Sequence, residues 1–245
     1  MNDGLELAAS FSLPPNQKGL CGPGRVDWKD KKKLAATMRQ FRAPYAYMSL
    51  IGEANGLEPF DYEVVEAFWI GNKMLSRVER DEAAAMICRR FVGPGLLSPK
   101  RALTLVSALP RKVYPHHSFH VFYIGSISGV LKRTRTQMDA CRVAWGKIGS
   151  VGRTSVGVKY RPLELKENGK RKENGEGRKT ACLSPRLSSA RWAFDSSRFS
   201  PAPGEVAASH WGVLAARLDK RQEKNLEKYT RINVGLFGKR PKEED

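Results

Sequence analysis

Long apolar runs are missing from this 245-residue chain. No stretch approaches the roughly 18 uninterrupted apolar residues that a membrane-crossing helix needs, so no membrane span is expected. The first residues carry Asp3 and Glu6 among short apolar runs, which is not the pattern of a secretion signal. A cytoplasmic protein is the expectation. Cysteine is scarce: Cys21, Cys88, Cys141 and Cys182 stand far apart and form no CxxC pair. This argues against a disulfide framework and against a cysteine-only zinc site, and reduced thiols follow. HExxH, GxSxG, a phosphate-binding glycine loop and a distinctive carboxylate pair are also absent, which weighs against an enzyme.

Acidic residues run short as well. Asp+Glu total 25 against 43 Lys+Arg, a formal charge of +18. Such an excess suits nucleic acid, an acidic membrane surface or an acidic protein. The charge is spread thinly, however. Its densest stretch, 166–179, interleaves Lys166, Lys170, Arg171, Lys172, Arg178 and Lys179 with Glu167, Glu173 and Glu176. No arginine-rich run with stacking aromatics stands out, so a solvated basic surface is favoured over nucleic-acid binding.

What is present is a 41% hydrophobic content, enough for one good core or two small ones. Residues 1–30 are rich in Pro and Gly (Pro14-Pro15-Asn16, then Gly19 to Gly24) and read as an irregular arm. Helical spacing follows over Lys31–Arg42, over Tyr45–Ala54 behind Pro44, over Asp61–Leu75 with Asp61 as cap, and over Arg80–Phe91. In the last of these Ala84, Ile87, Cys88 and Phe91 share a stripe, so Cys88 is expected to be buried. Ser98-Pro99 starts a short helix that Pro110 ends at Leu109. Alternation over Lys147–Val151 and Thr154–Tyr160, with a turn at Gly152, predicts two strands. Residues 166–186 read as a polar loop insert, and Asp219–Ile232 as a final helix burying Leu226, Tyr229 and Ile232. The expected fold class is therefore α+β: a helical domain at 31–130, a β module with a C-terminal helix at 138–235, and a charged tail at 236–245.

Two motifs carry the chemistry. Cys141-Arg142-Val143-Ala144-Trp145-Gly146-Lys147-Ile148 places a thiol ahead of a Gly-Lys strand start, and Gly204-Glu205-Val206-Ala207-Ala208-Ser209-His210-Trp211-Gly212 precedes the final helix. Together they resemble the HypC/HupF hydrogenase-maturation chaperones. Trp145 stands where those proteins have proline, and Cys141 is internal where theirs opens the chain. The resemblance implies a small OB-like β-barrel and a non-catalytic role in metallocentre assembly. It implies iron, as a transient Fe(CN)2CO unit, bound through Cys141 with His210 as second ligand or proton partner. It also implies two partners, a HypD-like scaffold and a hydrogenase large-subunit precursor. A soft thiolate suits low-valent iron, and Arg142 beside Cys141 is placed to favour the thiolate.

His116, His117 and His120 form an H-H-x-x-H pattern. On a helix, His116 or His117 shares a face with His120; on a strand only His116 and His120 do. With Cys21 they are candidate ligands for iron or zinc, and the basis of an alternative reading as a metal-dependent or thiol enzyme. No carboxylate lies nearby in sequence to orient the rings. A second alternative, a basic nucleic-acid-binding protein, rests on the net charge and a possible small β-barrel. The whole chain also resembles an uncharacterised prokaryotic family with PPN…CGP, PHHSFHVF, CRxxWGK and HW elements, which brings no activity with it.

Overall fold

A computed structural model of the chain describes residues 3–17, 19, 22–23, 30–125, 134–168 and 178–239. The protein is a mixed α+β fold, helical first and stranded later. Helices α1 (Gly4–Gln17), α2 (Lys31–Arg39), α3 (Arg42–Glu53), α4 (Tyr62–Trp69), α5 (Arg80–Ile87) and α6 (Pro99–Ser107) precede the short α7 (His117–Phe119). A turn of π-helix extends α5 over Cys88–Val92, and another extends α7 over His120–Ile124. Helix α8 (Arg135–Cys141) leads into strands β1 (Ala144–Val151), β2 (Ser155–Tyr160), β3 (Leu163–Asn168), β4 (Arg178–Leu183), β5 (Ser188–Ala193), β6 (Val206–His210) and β7 (Val213–Leu218), and α9 (Lys220–Val234) follows.

Five strands hydrogen-bond in a ring, β1-β2-β5-β7-β6, with β1 paired antiparallel to both β2 and β6. The ring closes through one parallel pair, Ala193 opposite Val213. Strands β3 and β4 form a separate antiparallel hairpin against α8. The largest apolar cluster belongs to neither half alone. It runs from Phe11, Tyr47, Phe68 and Trp69 on the helices, through Val143 just before β1, to Ala208, Ala215 and Leu218 on the strands and Tyr229 on α9. Glu66 on α4 ties α9 down. Although 3% exposed, it accepts from Arg221 Nη2 at 2.8 Å, Gln222 Nε2 at 2.8 Å and Asn72 Nδ2 at 3.0 Å. Burial works to raise its carboxyl, but these donors win and the net shift is downward.

Several expectations need correction. Residues 4–17, expected in an irregular arm, form α1, whose buried residues include Ala8, Ala9, Phe11 and Leu13. Its two prolines sit in the last turn, where each removes one N–H without ending the helix. The expected helix Asp61–Leu75 stops at Trp69, because Gly71 takes a left-handed φ of 100° and Asn72 caps a new 3-10 turn at Lys73–Ser76. A side chain at Gly71 would meet the Tyr229 ring at 2.4 Å. Asp61 stands at the N-cap of α4 but makes no side-chain capping bond; its carboxylate accepts from Glu58 N instead. Cys88 is exposed, since the core stripe of α5 is Ala83, Met86, Ile87 and Phe91 and residue 88 falls beside it. Ile232 is 36% exposed, whereas Leu226 and Tyr229 are buried. The polar insert expected at 166–186 supplies strand residues on both sides, and 169–177 lie outside the described residues. Residues 126–133, across the expected domain boundary, and 240–245 of the tail lie outside them too.

Other expectations match. Ser98 caps α6 by accepting from Arg101 N, and Asp219 caps α9 in a reciprocal box with Gln222. Among the described residues no helix is long and apolar enough to cross a membrane.

Candidate metal centre

Three segments meet at one point. Cys141 is the last residue of α8, just before the chain enters β1; His210 ends β6; His117 opens α7. One ligand atom from each lies within 4.8 Å of the others. The three residues are 9%, 2% and 5% exposed, respectively.

Local chemistry explains each placement. His210 sits where β6 turns tightly into β7: it pairs with Val213 across Trp211-Gly212, which have φ of 55° and 73°. Two consecutive positive φ values define the hairpin turn whose twist matches the strands, and glycine takes the second without strain. Trp211 N–H then donates to Ala140 O at 2.9 Å, pinning the turn to the residue before Cys141. The His-Trp-Gly run is therefore the device that brings His210 to the end of α8.

Cys141 is fixed from the other side. Asp139, two residues earlier, accepts from Arg142 Nε at 2.8 Å, from Leu163 N at 2.9 Å and from Tyr160 Oη at 3.1 Å. Arg142 also donates to Arg161 O at 2.6 Å and lies 5.7 Å from the Trp145 ring centroid. Its guanidinium, 1% exposed, is paired with Asp139, which also ties α8 to Tyr160 on β2 and Leu163 on β3.

His117 and His210 are oriented by backbone carbonyls. His117 Nε2 lies 2.8 Å from Cys141 O, and His210 Nδ1 lies 2.6 Å from Phe11 O. A carbonyl only accepts, so each of these nitrogens carries the proton, leaving His117 Nδ1 and His210 Nε2 as the lone-pair atoms. His117 Nδ1 is buried with no hydrogen-bond partner among the described residues. The carbonyl of Phe11 is available for a helical reason. In α1 its partner would be the N–H of residue 15, and that residue is Pro15.

Aromatic rings close the site. Trp69 packs on both imidazoles, with centroids 4.4 Å from His117 and 5.3 Å from His210, and stacks on Phe11 at 5.0 Å. The two imidazoles are 5.0 Å apart, edge to face. Burial pushes His117 well below the usual histidine range, with His210 and His120 adding to the effect and the Cys141 carbonyl opposing it. A neutral imidazole is the form that binds a metal.

The other candidates fall elsewhere. His116 Nδ1 caps α7, accepting from Ser118 N at 3.1 Å, and burial pushes His116 down to about 3. His120 Nδ1 faces Tyr47 Oη at 3.3 Å, and burial lowers it to about 4. The H-H-x-x-H pattern thus does not act as one ligand set: His117 joins Cys141 and His210, while His116 and His120 do not. Cys21 lies outside the described residues. The sequence does not announce this regrouping, and it gives Trp69, Phe11 and Pro15 no place at the site. The orienting groups sought as carboxylates are backbone carbonyls, which no residue type announces.

Two imidazoles and a thiol form a donor set that suits a first-row transition metal. Bonds of 2.0–2.3 Å in a tetrahedron put donors about 3.3–3.8 Å apart, so a site already within 4.8 Å closes with side-chain movements of about 1 Å. The buried Nδ1 of His117, without a partner among the described residues, is the atom such an ion would satisfy.

Fold and site together define an α+β protein with a buried nitrogen–sulfur donor cluster where its helical and stranded halves meet. The chain belongs to a family of unknown function, DUF6390, whose profile matches residues 1–244. No curated protein and no solved structure matches it.

Proposed function

We propose that the protein is a non-catalytic metallocentre assembly factor that carries an iron unit through Cys141, with His210 as its second donor. One observation carries this reading: two motifs far apart in sequence deliver a thiol and an imidazole to one buried point. The five-stranded ring, the thiol entering β1, the imidazole leaving β6 and the following α9 support reading residues 138–235 as an OB-like barrel of the HypC/HupF kind. Thiolate and imidazole both suit iron, and zinc is the alternative ion. The partners in this reading are a HypD-like scaffold and a hydrogenase large-subunit precursor, and the +18 charge suits an acidic client surface.

Capture of the tagged full chain from native extract without oxygen tests it. The expected result is co-recovery of a scaffold and a hydrogenase subunit, with iron on the chain. Recovery of ribosomal components alone would overturn it. A second reading, a metal-dependent enzyme, draws on His117 raising the donors to three, the number that catalytic zinc sites use beside an open position. Zinc rather than iron in the captured protein would favour it.

A further inference from the structure

We propose that His117 is a third metal ligand, so that one first-row divalent cation clasps the helical half of the molecule to its β ring. This rests on the reading of Cys141 and His210 as metal donors and adds a third donor and a structural consequence.

The donors come from three separate elements: α7 supplies His117, the end of α8 supplies Cys141, and β6 supplies His210. An ion bound to all three fixes these elements to one another. Each imidazole is already turned for the task, because its N–H is held by a carbonyl from elsewhere in the chain. Such outer hydrogen bonds set ring orientation and donor strength at histidine–metal sites. For His117 the geometry has no other evident purpose. Its Nδ1 is buried and has no hydrogen-bond partner among the described residues, a costly arrangement unless a ligand takes the lone pair. A thiolate with two neutral imidazoles leaves a divalent ion with one net positive charge, and in a tetrahedron one position stays open. An ion that binds only the folded, joined state stabilises that state by mass action.

Cobalt(II) titration of the full chain, first stripped by a chelator, tests this. Wild type should bind one ion per chain, with thiolate-to-cobalt absorption in the near ultraviolet and a higher thermal midpoint. His117→Gln keeps a donor for the Cys141 carbonyl but lacks Nδ1. It should match the metal-free midpoint of wild type yet bind more than about tenfold more weakly. His120→Gln should bind like wild type. Wild-type affinity in His117→Gln, with binding lost in Cys141→Ser, would overturn the third ligand and leave the two-donor reading standing. No binding by wild type would overturn both. Weakened binding in His117→Gln, with neither a scaffold nor a hydrogenase subunit captured, would support the clasp and overturn the assembly role. If His117→Gln does not fold, proton NMR of cobalt-loaded wild type decides. Two strongly shifted, exchangeable imidazole N–H signals support the proposal, and one overturns it.

Discussion

The helical and stranded halves meet this site with opposite materials. The helical side presents bulk: Phe11, Phe68 and Trp69, all 0–1% exposed. The stranded side presents small residues, Ala208 on β6 with Ala215 and Ala216 on β7, in the same cluster. Large side chains on one side meet small ones on the other, a pairing that lets the two faces pack closely around the donors. The two halves also trade hydrogen bonds. The helical His117 is turned by the carbonyl of Cys141, at the threshold of the strands, while the stranded His210 is turned by the carbonyl of the helical Phe11. Neither half holds the donor cluster alone, and damage to either should be felt at the shared boundary.

The sharpest way to break this fit is Trp69→Ala. Removing the ring that packs on Phe11, Phe68 and both imidazoles should cost about 3–5 kcal/mol in urea unfolding. A loss near 1 kcal/mol would mean that the halves do not depend on that contact. Acid comes next and separates the halves, because the helical side carries His116, His117 and His120 and the stranded side only His210. The three helical histidines are depressed in the fold, so the unfolded chain takes up protons first as pH falls. Stability should be full above about pH 6.5, the unfolded histidine value, and should decline below it as pH drops toward the folded values. His120→Gln should make the decline shallower, and a denaturation midpoint flat from pH 7 to about 5 would contradict the burial argument.

Pro15→Ala probes the trade of hydrogen bonds more finely. The restored N–H would compete with His210 for the Phe11 carbonyl. Metal affinity should fall by about tenfold while stability changes by about 1 kcal/mol or less. Unchanged affinity would remove Pro15 as a positioning residue. The smallest effect is expected at Cys88, exposed and not a member of the cluster: Cys88→Ser should shift stability by less than about 0.5 kcal/mol and leave metal binding alone.

Part of this was legible in the sequence, for local reasons. Asp219 and Ser98 announce α9 and α6 because capping needs only residues three apart. Cys141 and His210 stood out because the motifs around them resemble those of the HypC/HupF chaperones. Helix α1 was hidden by Pro14-Pro15, which read as a break but fall in the last turn of a buried helix. The β3–β4 hairpin was hidden by polar residues such as Glu164, Lys166, Lys179 and Thr180, which blur the alternation that marks a half-buried strand. The partnership of His117 with Cys141 and His210 depends on where α7 packs, which spacing within H-H-x-x-H does not encode. The orienting carbonyls of Phe11 and Cys141 belong to the backbone, common to every residue type.

The central claim is that a transition metal sits where Cys141 and His210 meet. Elemental analysis of full-length protein purified without oxygen, beside the Cys141→Ala variant, tests it most directly. The expected result is close to one iron or zinc ion per wild-type chain and almost none in the variant. A metal-free wild type, or a variant that keeps its full complement, would contradict it.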